Sequence, residues 1–147
     1  MKKILLLLVV IFSAGILVAL ADNEKIIDKS QLPAQAQQFI DAHFASSNIV
    51  YAKEESCVFF FSSYEVKLSD GAKLEFSGDG EWEEVDCRFG EVPVAIIPQA
   101  IKEYVDNNHP GEKVLMIEKE RNGYEVKLSN RLELKFNDEF KIYDIDD

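Results

Sequence analysis

The chain predicts an α+β fold: a tandem repeat of helix plus four antiparallel strands, forming one extended antiparallel sheet with both helices packed on one face. Three observations carry it. Tyr64–Phe76 (YEVKLSDGAKLEF) and Tyr124–Phe136 (YEVKLSNRLELKF) stand sixty positions apart and agree at eight of thirteen positions. Upstream of each lies a stretch of helical period opened by a proline, LPAQAQQFIDAHF (Leu32–Phe44) and IPQAIKEYVDNNH (Ile97–His109). Between and after these stretches the apolar residues alternate with period two.

The helices come first in each unit. Pro33 and Pro98 suit a first helical position, where a missing N–H costs nothing. Ala36, Phe39, Ile40 and Phe44, and Ile97, Ile101, Tyr104 and Val105, line one face at a spacing of 3.6 residues. Strands follow at Ile49–Lys53, Tyr64–Leu68, Ala72–Phe76 and Trp82–Val85, then at Val114–Lys119, Tyr124–Ser129, Leu132–Phe136 and Phe140–Tyr143. Asp70-Gly71, Gly78-Asp79-Gly80 and Asn122-Gly123 read as hairpin turns. A unit of about 55–60 residues is marginal for burying a core alone, and duplication with edge-to-edge joining answers that. Repeat 1 then occupies residues 30–86 and repeat 2 residues 95–147. The connection Asp86–Ile96 carries Phe89, Val92, Val94 and Ile96 and is expected to pack on the body. In this alignment Cys87 falls where the second unit has Ile145.

The N-terminus reads as a signal peptide over residues 1–21: Lys2 and Lys3, an apolar run Ile4–Leu20, and a small-residue cleavage pattern ending at Ala21. A retained anchor is the competing reading, disfavoured by the polar flank Asp22-Asn23-Glu24. Cleavage leaves a single domain, 22–147, with 14 basic and 27 acidic residues and a net charge of −13. So acidic a surface repels phosphate backbones and anionic headgroups, so nucleic-acid and membrane-surface roles fall away; it would attract a cationic partner, although net charge for solubility is the plainer account. Cys57 and Cys87, in an oxidising compartment, are a candidate disulfide; two buried thiols are the alternative.

Chemistry is sparse. His43 and His109, the only histidines, fall near the helix ends, where a structural role is expected; a small hydrolase using one of them with nearby acids is the alternative function. No nucleophile motif, cofactor motif or metal ligand ladder is present, so no catalytic residue, cofactor or metal is expected, with a small-ligand or metal sensor as a further alternative. The polar face of the sheet is the candidate docking site: Glu65, Lys67, Lys73 and Glu75 in the first unit, Glu125, Lys127, Glu133 and Lys135 in the second. Cross-strand ion pairing among them is the ordinary expectation. The first hairpin is five residues longer than the second and holds SCVFFFSS (Ser56–Ser63), from which Phe59 and Phe61 are candidate aromatic anchors, the plainer reading being that the run is covered by Phe89 of the connection. The two outer sheet edges, expected at Ile49–Lys53 and Phe140–Tyr143, leave oligomeric state open.

These segments, with Leu32-Pro33 opening a helix, Tyr64–Cys87, Val92–Gly111 and Gly123–Phe136, resemble the PepSY-like, beta-lactamase-inhibitor-like periplasmic proteins of Bacteroides and relatives. The resemblance covers nearly all of the mature chain and implies a tandem helix-plus-sheet fold, periplasmic export and no established enzyme activity. Related folds inhibit enzymes, the beta-lactamase inhibitors through a concave sheet face, and PepSY domains are linked with restraint of peptidases. This implies a binding or inhibitor-like module with a periplasmic protein or peptide as partner. The inhibitor's binding residues have no position-by-position match here and none is carried over, and the Phe-rich extension departs from the second unit.

Overall fold

In the computed structural model, residues 23–56 and 62–147 are described. They form one nine-stranded antiparallel sheet in which spatial order follows chain order, β1 to β9. The strands are β1 (Asn23–Ile27), β2 (Ile49–Ser56), β3 (Ser63–Leu68), β4 (Lys73–Ser77), β5 (Trp82–Asp86), β6 (Val114–Glu120), β7 (Gly123–Leu128), β8 (Glu133–Asn137) and β9 (Ile142–Asp146). Helix α1 (Ala34–His43) connects β1 to β2, and α2 (Gln99–Asn108) connects β5 to β6.

Cross-strand partners share a face, so the chain of pairs Leu74–Val85–Ile117–Val126–Leu134 defines one dry face across five strands. Both helices lie on it. Their predicted apolar stripes are buried: Ala36 and Ile40 in α1, Ile101 and Val105 in α2. Phe39 of α1 meets Phe76 of β4 edge-on at 5.6 Å, and Tyr104 of α2 meets Phe136 of β8 in the same way at 5.3 Å. The prolines stand at the N-cap, one residue before each helix.

Five expectations change. The sheet has a ninth strand, because Asn23–Ile27 pairs along β2; the edge expected at Ile49–Lys53 is therefore interior. Only Ile27 of β1 is buried, so no alternating pattern marked it. The last strand begins at Ile142 rather than Phe140, and Asn122-Gly123 is not the centre of a turn: Arg121 and Asn122 make the turn, and Gly123 opens β7 opposite Glu120. Gly123 is nonetheless required, since its φ is 145° and a Cβ there would stand 1.8 Å from the Phe136 carbonyl oxygen. The connection after β5 packs only in part: Val92 and Ile96 are buried, whereas Phe89 is 78% exposed. The register also sets Val85 against Leu74 and Ile145 against Leu134, so Val85, not Cys87, corresponds to Ile145.

The signal-peptide segment, Cys57, Phe59 and Phe61 lie outside the described residues. Cys87 is buried, and burial, reinforced by Asp70 and Asp86, pushes its thiol up to about 11, away from the reactive range. Ser56 closes the β2 end that pairs toward Ser63 and Ser77, while Cys87 follows Asp86 at the opposite end of the sheet.

Candidate functional site: the open face of the sheet

Opposite the helices the strands present charge. Reading residues straight across the ladder gives one row: Lys53, Glu65, Glu75, Glu84, Glu118, Glu125, Lys135 and Asp144. Five successive glutamates thus span β3 to β7, with neighbouring strands about 4.8 Å apart. The next row holds Tyr51, Lys67, Lys73, Asp86, Met116, Lys127, Glu133 and Asp146. All eight charged residues expected from alternation lie on this face. Glu84 and Glu118 were missed as members, although each alternates with a core residue, Val85 or Ile117; the β5–β6 register that sets them opposite one another joins the two halves and has no local signal.

Among these eight, opposite charges face one another in the second half only. Lys127 pairs with Glu133, Nζ to Oε1 at 2.8 Å, whereas Lys135, opposite Glu125, turns to Asp144 and Asp146 on the other side. In the first half the antiparallel register sets like against like, Lys67 opposite Lys73 and Glu65 opposite Glu75. The ammonium groups therefore turn aside. Lys67 donates to the Gly71 carbonyl at 2.7 Å, and Lys73 reaches Glu75 at 2.8 Å and Glu84 at 3.0 Å. Burial works against the charge on Lys73, yet these two carboxylates outweigh it and raise its affinity for the proton. Glu65 accepts from the Tyr51 hydroxyl at 2.6 Å and lies 3.7 Å from Lys53.

Glu118, at the centre of the row, forms no ion pair among the described residues. Its carboxyl is held above the usual range by partial burial and then by the charges of Glu120, Glu84, Glu125 and Glu75. Asp86 is the reverse case: burial pushes it up, but the Arg88 guanidinium at 2.5 Å outweighs burial and holds it low.

Neither histidine ring makes a hydrogen bond or ion pair among the described residues. His43 packs on Phe39 at 4.8 Å and borders a hollow of about 210 Å³ with Phe44, Asp70, Cys87 and Phe89. His109 packs on Tyr104 at 6.1 Å, its Nε2 buried without a partner. No His–carboxylate pair of the kind general-base chemistry needs is assembled among them. Among the described residues, too, no group of three or more His, Cys, Asp and Glu side chains is gathered to hold a metal ion.

Comparison with known proteins gives a consistent set. A family model described as "Putative beta-lactamase-inhibitor-like, PepSY-like" matches residues 62–144, more than half of the chain. A crystal structure of a "putative calcium-regulated periplasmic protein" from Bacteroides thetaiotaomicron is 53% identical, covering 84% of this chain and 97% of that one with a TM-score of 0.81. A periplasmic protein of Bacteroides vulgatus is 46% identical over 86% of this chain and 99% of its own, with a TM-score of 0.82. A second B. vulgatus periplasmic protein, described as of unknown function, is 40% identical over 86% of this chain and all of its own, with a TM-score of 0.79. No curated protein matches the chain.

Proposed function

Because this chain belongs to the PepSY-like, beta-lactamase-inhibitor-like family, we propose that it is a periplasmic, non-catalytic binding protein that docks a partner protein or peptide on the open face of its sheet. The periplasmic descriptions of its relatives support export, with the signal peptide removed near Ala21. The two halves are read as copies of one helix-plus-four-strand unit, the first preceded by β1. The observation that carries the reading is the glutamate row Glu65–Glu75–Glu84–Glu118–Glu125. A row of like charges costs stability in the free protein, and local conflict of that kind is characteristic of binding surfaces. Basic side chains of a partner would relieve it and would be drawn in by the net charge of the domain. Inhibition of a peptidase or other enzyme is the form of binding that the family's fold favours.

The test is capture from a periplasmic extract on immobilised 22–147, beside a variant with Glu65, Glu84, Glu118 and Glu125 changed to Gln and shown by circular dichroism to be folded. The expected result is a protein retained by the first and lost with the second, with retention by the first weakening as salt is raised. Equal retention by both removes the face from the reading, and retention by neither counts against partner docking.

The relative described as calcium-regulated favours a second reading. Without a gathered ligand set among the described residues, a divalent ion would act on this chain by neutralising the glutamate row, above all the facing pair Glu84 and Glu118, and so modulate docking. Thermal shift separates the two: stabilisation by calcium chloride beyond that of sodium chloride at equal ionic strength supports the second reading, and equal shifts dismiss it.

A further inference from the structure

We propose that β9 is a strand-acceptor edge that takes an extended basic–apolar–basic segment of a partner protein as a tenth strand. This goes beyond docking on the open face and does not depend on it. The argument starts from β5, which occupies the matching place in the first half. There Val85 is wholly buried, because β6 lies alongside with Ile117 opposite Val85, Glu118 opposite Glu84 and Met116 opposite Asp86. In β9 the same positions are Asp144, Ile145 and Asp146, and nothing described lies beyond them. Ile145 points to the dry face opposite Leu134, yet is 48% exposed. Its N–H, turned away from β8, is held at 3.1 Å by the Oδ1 of Asp144. A side chain therefore occupies the donor that a neighbouring strand would use, in the way edges are shielded from indiscriminate pairing.

Charge chooses the occupant. Asp144 and Asp146 flank Ile145 on the open face and share a single cation, Lys135, at 3.3 and 2.9 Å. A second copy is a poor occupant: β9 pairing with itself about Ile145 sets Asp144 of one chain against Asp146 of the other, twice, and like charges directly opposite are destabilising. A partner strand with an apolar residue opposite Ile145 and lysine or arginine on each side meets both carboxylates, covers Ile145 and supplies a carbonyl to its N–H. Such strand addition draws affinity from the backbone and specificity from alternate side chains.

The probe is a labelled peptide with the sequence of residues 114–120 carrying Met116→Lys and Glu118→Lys, read by fluorescence anisotropy against the unaltered 114–120 peptide. The lysine peptide should bind, the unaltered one at least about tenfold more weakly. Ile145→Pro removes an outward donor, a substitution that edge strands tolerate, and should abolish binding while the circular dichroism spectrum is kept. Charge reversal, Asp144→Lys with Asp146→Lys, should invert the preference between the two peptides. Hydrogen exchange of the Ile145 amide should slow when the lysine peptide is bound, which decides the matter even if Ile145→Pro does not fold. Absence of binding, undiminished binding to folded Ile145→Pro, an unprotected Ile145 amide, or a wild-type dimer that Ile145→Pro dissolves would each overturn the proposal, the last by making a second copy the occupant.

Discussion

Two pairs of turns, one pair in each half of the sheet, share a backbone and differ in residue. After β3, Gly71 has φ 93°, and after β4, Gly80 has φ 92°; at the matching places after β7 and β8 stand Arg131 at φ 77° and Phe140 at φ 59°. The hydrogen bonds repeat as well. Gly71 and Arg131 N–H donate to the Leu68 and Leu128 carbonyls at 3.0 Å, while Asp70 and Asn130 side chains accept from Ala72 and Leu132. Strand register therefore imposes the left-handed conformation whatever the residue, at a cost of about 1–2 kcal/mol for a side chain. What differs is the covering. A Cβ on Gly71 would meet the Phe89 ring at 2.7 Å, and one on Gly80 would meet Pro33 of the α1 N-cap at 2.7 Å and the Ala36 nitrogen at 3.0 Å. Phe140 instead packs against the core and stacks on Tyr124 at 5.5 Å. Glycine is thus demanded at position 80 by the start of α1, whereas at 71 only the exposed Phe89 ring would have to swing aside, and in the second half its absence is tolerated.

The sharpest way to break this comparison lies at the start of β7. Gly123→Ala drives a Cβ into the backbone of Phe136 and Asn137 and should cost about 3–5 kcal/mol in urea unfolding, or leave no folded protein. Ser63→Gly, at the matching position, should cost about 1 kcal/mol or less. Gly80→Ala comes next, at about 2–3 kcal/mol, because Pro33 and the α1 backbone must move. On the open face, exchanging Lys73→Glu with Glu75→Lys turns the like-on-like register of the first half into that of the second; a gain of about 0.5–1 kcal/mol is expected. Arg131→Gly relieves left-handed strain where nothing covers the turn, with a net gain of about 0.5–1 kcal/mol once the added chain entropy of glycine is subtracted. An unchanged unfolding midpoint would mean that Arg131 carries no net strain in the left-handed conformation.

The smallest effect sits at the seam. A carboxyl raised in the folded state disfavours folding above that raised value, and the penalty fades as pH falls toward about 4.3, the unfolded value. Glu118→Gln should accordingly raise Tm slightly at pH 7, and the advantage should vanish near pH 4. A constant advantage across that range would mean that Glu118 acts through packing and not through the glutamates beside it.

Local pattern determined much of this protein. The prolines opening α1 and α2, the 3.6-residue stripes Ala36–Ile40 and Ile101–Val105, and the alternation of Tyr64–Leu68 and Tyr124–Leu128 each depend on neighbours within one turn or one strand. They determined the helices, eight of nine strands, the two faces of the sheet and the eight charged residues expected on the open one. The glycine at 123 was legible as special, though its reason was misread as turn chemistry. Tertiary structure alone decided what depends on strands meeting. β1 joined the sheet because β2 offered an unpaired edge, not because Asn23–Ile27 has a pattern. Lys67 met Lys73, and Glu84 met Glu118, because backbone hydrogen bonding sets register before surface charges, worth tenths of a kcal/mol each, can object. The glutamate row that carries the functional reading is of that second kind: each member is visible in the sequence, and their line is made only by the sheet.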